Sequence, residues 1–189
     1  MSAAALIARL NLQPLPHEGG YFARTWTSRE TLHNGRPLGT AIYFLLTPDG
    51  FSAIHRLDAD ELWHFHSGDP VEHLQLLPLS ETLPPTLPAA STLSASHSSS
   101  ATLPPAATPA RLTRLGTDLT SGEIPQLTVP SGVWQGARLA QNARLGWALL
   151  SCTMSPGWTD SGFELASRPA LHERYPAHIT LISALTRTN

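Results

Sequence analysis

Sulfur, charge and long apolar runs are all scarce in this chain. Of 189 residues only one, Cys152, is a cysteine. A lone cysteine excludes an intrachain disulfide and a thiolate metal cluster, and it fits a reducing compartment; a cytoplasmic location is expected. Charged residues make up 14%, and 12 basic against 14 acidic side chains leave a formal charge of −2. With no basic surplus to neutralise phosphates, nucleic acid is not an expected partner. No apolar run approaches the roughly 20 residues that cross a bilayer, so no membrane partner is expected either. The stretch Met1 to Leu10 has no basic n-region and does not read as a signal peptide. Hydrophobic residues reach 41%, a globular composition rather than a disordered one. The length suits one compact domain.

Turn-forming residues, by contrast, are plentiful. Their placement divides the chain into short strands. Ser2 caps a short helix to Leu10, with Leu6, Ile7 and Leu10 on one face. Strand signals follow at Tyr21 to Trp26, Thr40 to Leu46, Phe51 to Leu57, Glu61 to His66 and Val71 to Leu77. They resume at Arg111 to Leu115, Gln126 to Val129, Gly132 to Ala137 and Gly146 to Met154. His33-Asn34-Gly35, Pro48-Asp49-Gly50 and Gly68-Asp69-Pro70 read as turns. Helix signals return only at the end, from Ser167 to Tyr175 and from Pro176 to Leu185. Many short strands with terminal helices point to a sandwich or barrel.

Composition changes sharply from Pro78 to about Arg111, where Pro, Ser, Thr, Ala and Leu dominate. Such sequence has too few large side chains to offset its ordering entropy. It reads as a disordered loop inserted between two strands of a single domain spanning 1–189. A linker between domains is the alternative, but neither flank looks complete alone. His97 falls in this segment and is expected to face solvent.

Two stretches carry chemistry. In Gly50-Phe51-Ser52-Ala53-Ile54-His55-Arg56-Leu57-Asp58-Ala59-Asp60-Glu61, strand alternation points His55 and Leu57 the same way. A three-residue turn then lets Glu61 return along the neighbouring strand and face the same interior. Trp63 and Phe65 follow Glu61 inward as an aromatic wall, and His64 and His66 fall on the opposite face. In Val129-Pro130-Ser131-Gly132-Val133-Trp134-Gln135, a Pro-x-Gly corner presents Gln135.

The first stretch resembles the first cupin motif, G-x5-H-x-H-x3/4-E-x6-G. His55, Glu61 and Gly68 stand at the motif spacing, and Gly50 is one residue close. The second resembles G-x5-P-x-G-x2-H-x3-N through Pro130 and Gly132. The chain is more similar still to a group called Cupin_5, a family of unknown function. That likeness rests on His17-Glu18-Gly19-Gly20-Tyr21-Phe22, Thr40-Ala41-Ile42-Tyr43-Phe44-Leu45-Leu46, Asp60-Glu61-Leu62-Trp63-His64-Phe65-His66, Gly68-Asp69-Pro70 and Val129 to Gln135. It extends to Pro156-Gly157-Trp158 and Phe163-Glu164-Leu165. The resemblance implies an all-β, RmlC-like fold: a double-stranded β-helix, or jelly-roll cupin barrel, with short terminal helices. It also implies a homodimer, with His64 and His66 as candidates for the contact.

Metal cupins draw two histidines and a glutamate from the first motif and a histidine from the second. Here Leu57 and Gln135 occupy two of those positions, which leaves His55 and Glu61. A stable transition-metal site wants three or four strong ligands. No cofactor is therefore expected, with a divalent metal at His55 and Glu61 as the alternative.

The candidate site then comprises His55 and Glu61 as catalytic residues and Gln135, Trp63, Phe65, Tyr43 and Arg24 as ligand-binding residues. A His/carboxylate pair is costly to bury and typical of acid/base sites, although a satisfied structural pair is the alternative. Arg24 offers a planar fork for an anionic group, or is a surface charge. Tyr43 offers a proton, or is an ordinary hydrogen-bonded tyrosine. His17 and Glu18 shape a turn before the glycine pair, and Cys152 reads as inert core. Two functions fit: an isomerase- or epimerase-like enzyme acting on a small polar, sugar- or nucleotide-like substrate, and a non-catalytic binding module for a small metabolite.

Overall fold

Alternating strands bury one face each, and two antiparallel sheets packed face to face satisfy them together. The computed structural model describes residues 1–78 and 110–187. One sheet has six strands: β1 (Gln13–Pro14), β2 (Tyr21–Thr27), β3 (Thr40–Leu46), β10 (Ala148–Ser155), β5 (Asp60–Gly68) and β8 (Gln126–Val129), in that spatial order. The other has five: β11 (Phe163–Leu165), β4 (Ser52–Leu57), β9 (Trp134–Leu139), β6 (Val71–Leu76) and β7 (Ala110–Leu115). This is the all-β jelly-roll arrangement expected, with short helices near the ends.

The alternation in β5 behaves as read from the sequence. Glu61, Trp63 and Phe65 are buried, while Leu62, His64 and His66 turn outward. One expectation needs correction. Glu61 does not return along a strand beside β4, because β4 and β5 belong to opposite sheets. Asp58 and Ala59 carry the chain across the sandwich, so His55 and Glu61 approach each other from facing sheets.

The five-stranded sheet is covered on both faces. Helices α2 (Arg168–Arg174) and α3 (Ile179–Ala184) bring Leu171, Tyr175, Ile182 and Leu185 against Ile54, Leu74, Leu76 and Trp134. That cover explains why Ile54 and His55 are both buried although they point opposite ways. Helix α1 (Ala3–Arg9) is capped by Ser2, whose Oγ accepts from the Ala5 amide, and it packs Leu6 over Leu45 and Trp147 on the other sheet. Between the sheets, Phe44, Leu46, Trp63, Phe65, Leu115 and Leu150 fill one end of the barrel.

Most of the insertion expected over 78–111 lies outside the described residues, as does His97. Its last two residues belong to the barrel, since Ala110 and Arg111 pair with Leu76 and Gln75. Two short strands carry no periodic signal in the sequence. β11 is only three residues long, and β1 is a two-residue strand that contains Pro14.

Candidate active site

The end of the barrel not filled by large side chains holds a cavity of about 380 Å³. Its walls are Leu15, Phe22, Ile42, Phe44, Met154, Trp158 and Phe163, and its polar groups include Glu18, His55, Glu61 and Arg24.

His55 comes from β4 and is 2% exposed. Its Nδ1 lies 2.8 Å from the Ala53 carbonyl, which can only accept, so Nδ1 carries a hydrogen and in the neutral ring Nε2 is the acceptor. Phe163 stacks on the ring at 5.2 Å between centroids. Nε2 lies 4.0 Å from a Glu18 carboxylate oxygen. Glu18 is itself held in place: its Oε1 accepts from the Ser52 hydroxyl at 2.8 Å. Its carbonyl accepts from the Ala53 amide and from Arg187. The loop before β2 is therefore part of the cavity wall, and Gly19 allows it: at φ +101° a side chain would be strained and would meet Arg187 and the Phe51 carbonyl.

Glu61 faces His55 from β5. Two N–H groups converge on its Oε2, from Gln135 Nε2 at 2.7 Å and Trp63 Nε1 at 2.9 Å. Burial pushes the Glu61 carboxyl up to about 7; Glu18 adds to the rise, and His55, Gln135 and Trp63 oppose it. Both of these donors sit on Oε2, and the Cys152 thiol hydrogen-bonds the same carboxyl. Gln135 is fixed in turn by His73 Nε2 at 3.2 Å and by Trp63 Nε1 at 3.0 Å, both on the Gln135 Oε1. His73 is fully enclosed, and burial lowers its pKa to about 3, so it is the neutral donor this arrangement requires.

Several residues expected at the site from the sequence lie elsewhere. His55 and Glu61 do come together, and Arg24 reaches the same cavity. Gln135 and Trp63 do not line it; they lie behind Glu61 and orient it. Phe65 sits further along the barrel and borders a separate open groove with Asp69 and Arg114. Tyr43 stands on the outer face at 36% exposure, edge-on to His66, because inward-facing Phe44 and Ile42 flank it. Cys152 is buried as expected, but it lines the cavity. Burial, with Glu61 and Glu18 nearby, raises its thiol well above the usual range, so it is a poor nucleophile. Glu18, Phe22, Trp158 and Phe163 line the cavity; all four lie in stretches that carry the family likeness, but the sequence pattern singles out none of them as a site residue. Phe22 shares a face with Arg24 in an alternating strand, whereas Glu18, in a loop, has no period to place it.

The residues at the ligand positions of metal cupins do not fit an ion. Leu57 offers no donor. The Gln135 oxygen already accepts from Trp63 and His73. Among the described residues, no group of three or more His, Cys, Asp or Glu side chains is placed to hold a metal.

Two antiparallel sheets in a jelly-roll arrangement with a cavity between them define a cupin-type fold. The chain belongs to the family described as Cupin superfamily (DUF985), whose model matches residues 4–166. It is similar to a protein from Shewanella oneidensis, 31% identical with a TM-score of 0.79, over 100% of this chain and 99% of that one. A hypothetical protein from Leishmania major is equally similar, at 31% identity and a TM-score of 0.79 over 100% of both chains. A cupin 2 conserved barrel domain protein from Rhodopseudomonas palustris shares the fold at 11% identity and a TM-score of 0.54, over 94% of this chain and 90% of that one. No curated protein matches the chain. Among the described residues, no helix is long and apolar enough to cross a membrane.

Proposed function

We propose that the chain is a metal-independent small-molecule enzyme that moves a proton on its ligand, in the manner of an isomerase or epimerase. The observation that carries this reading is the meeting in one cavity of His55, whose neutral ring presents Nε2 as an acceptor, and Glu61, a buried carboxyl whose Oε2 takes the Gln135 and Trp63 donors. His55 Nε2 takes a proton from a carbon next to a carbonyl. The C–H electron pair moves into an enol as Glu61 gives its proton to the carbonyl oxygen. Return of one proton to carbon and one to Glu61 restores the enzyme. Glu18 stabilises the imidazolium formed in between. The cavity walls are apolar, so a ligand polar all round, such as a bare sugar, would leave hydroxyls without partners. A ligand with an apolar body and polar ends fits better.

Native mass spectrometry of freshly purified protein would identify a retained metabolite, which then serves as substrate. His55→Ala should lower turnover by at least about a hundredfold and change affinity only a few-fold. Loss of affinity, with no turnover by the unaltered protein, would instead mark a binding module.

We further propose a homodimer formed through the outer face of the six-stranded sheet. A cross-strand row of Ala23, Tyr43, Ser151 and His64 runs over this face, with His66 beside it. It carries no formal charge beyond the histidines, so two copies meet without like-charge repulsion. The single free thiol suits a cytoplasmic setting.

A further inference from the structure

Arg24 is exposed yet borders the cavity, and it differs from the arginines that tie other parts of the fold together. Arg36, Arg56, Arg114, Arg138, Arg168 and Arg187 each hydrogen-bond a carboxylate, carbonyl or hydroxyl. Arg24 makes no hydrogen bond or ion pair among the described residues; its side chain meets the Trp158 ring, 5.8 Å from the guanidinium.

Its position is built rather than incidental. Arg24 pairs with Ile42 across β2 and β3, and both line the cavity. The register shifts immediately after it, since Trp26 pairs with Ala41 and Thr25 is the extra residue. A bulge of this kind re-aims the neighbouring side chain, and it occurs often beside binding sites. Neighbouring groups shield part of the exposed Arg24 from water and lower its pKa, although the guanidinium stays charged at any ordinary pH. The strand therefore directs a permanent cation, with five donors and no acceptor, over the cavity mouth.

The carboxylates around the cavity are engaged elsewhere or too far away. Glu18 is occupied by Ser52 and lies against His55. Glu61 sits on the floor, bonded from behind. Asp160 is an exposed residue of the rim and lies beyond ion-pair distance of Arg24, as no such pair forms among the described residues. None of these three groups thus neutralises Arg24. Between rim and floor the cavity is apolar. The floor presents the His55 Nε2 and the carboxyls of Glu18 and Glu61.

We propose that the cavity takes a small organic acid, its carboxylate held by Arg24 at the rim, its apolar body along Phe22, Phe44 and Trp158, and a hydroxyl or carbonyl carbon against His55 and Glu61. This rests on the proton-transfer reading and adds the substrate class to it. The planar fork of Arg24 matches a carboxylate bidentately, and Trp158 backs it.

Isothermal titration calorimetry on the full chain tests the assignment with three oxo acids whose carbonyl stands progressively further from the carboxylate: 4-oxopentanoate, 5-oxohexanoate and 6-oxoheptanoate. Each is compared with its neutral amide. At least one acid should bind about tenfold more tightly than its amide, a preference that Arg24→Gln abolishes and Arg24→Lys partly restores. Amides that bind as well as the acids, a preference that survives Arg24→Gln, or no acid binding below about 10 mM would each overturn it. The same samples in deuterium oxide separate this inference from the reading beneath it. Exchange of the protons next to the oxo group, seen by proton nuclear magnetic resonance and lost in His55→Ala, supports both. Arg24-dependent binding with no exchange for any acid keeps the ligand class and removes the proton-transfer chemistry.

Discussion

Gln135 donates to Glu61 from the opposite sheet, Nε2 to Oε2, at 2.7 Å. The bond ties the β9 strand to the β5 strand through two side chains that are 1% and 7% exposed. The amide cannot turn over, because its oxygen is held by Trp63 and His73, two donors. Gln135→Leu removes one donor from Glu61 and orphans the His73 N–H, while Trp63 keeps its bond to Glu61. The expected cost is about 1–3 kcal/mol of stability, read by urea denaturation. The Glu61 carboxyl should also titrate higher than in the unaltered protein, read from its carbonyl stretch in difference infrared spectra. An unchanged titration would show that Gln135 does not tune the acid.

Glu61 itself links stability to pH. Its carboxyl titrates near 7 in the fold, raised by burial, against an ordinary value of 4.5. The folded state holds the proton more tightly, so this group's contribution is fully present below the unfolded value and is lost as pH rises through about 7. Glu61→Gln keeps the shape and removes the ionisation. The variant should gain on the unaltered protein between pH 4.5 and 7 by up to about 3 kcal/mol, then hold that gain above 7. His73 acts in the opposite sense, since burial depresses it to about 3. Its contribution is lost as pH falls from the unfolded value toward 3, but it cancels in the comparison of the two proteins. A gain independent of pH would show that Glu61 is not buried as an acid.

Metal binding should need more than one substitution. Leu57→His alone supplies a third donor but leaves Gln135 engaged with Glu61 and His73, so zinc affinity should rise only slightly. Leu57→His together with Gln135→His should bind zinc at least about a hundredfold more tightly than the unaltered protein, measured by competition with a chromogenic chelator. Stoichiometric metal in the unaltered protein that resists chelation would refute the metal-free reading.

The outer face offers a test of assembly. The His66 Nε2 lies 2.9 Å from the Ser151 hydroxyl, and His64 lies 3.3 Å from Thr153. Burial lowers the His64 pKa, and the neighbouring His66 lowers it further. Sedimentation should find a dimer at neutral pH that dissociates in acid as charge builds on the His64 imidazole. His64→Gln with His66→Gln should remove that pH dependence. A monomer at micromolar concentration and neutral pH would end the proposal.

Much of this protein is legible in the order of its residues. Alternation in Glu61-Leu62-Trp63-His64-Phe65 determines which side chains face the barrel, because consecutive Cβ atoms in a strand point to opposite faces. The spacing of His55, Glu61 and Gln135 marks the site, and Leu57 in a ligand position argues against a metal on pattern alone. Only the tertiary structure decided how these parts meet. A short link after Leu57 is compatible with a hairpin or with a crossing between sheets, and sheet packing selects the crossing. Pairing across the sandwich places Gln135 and Trp63 behind Glu61 and leaves the cavity to Phe22, Phe44 and Trp158. Glu18 joins the site through a loop with no period to read, held by Ser52, the Ala53 amide and Arg187, the last 169 residues away along the chain. Local pattern specifies the face a side chain presents; what it meets there depends on which distant strand closes over it.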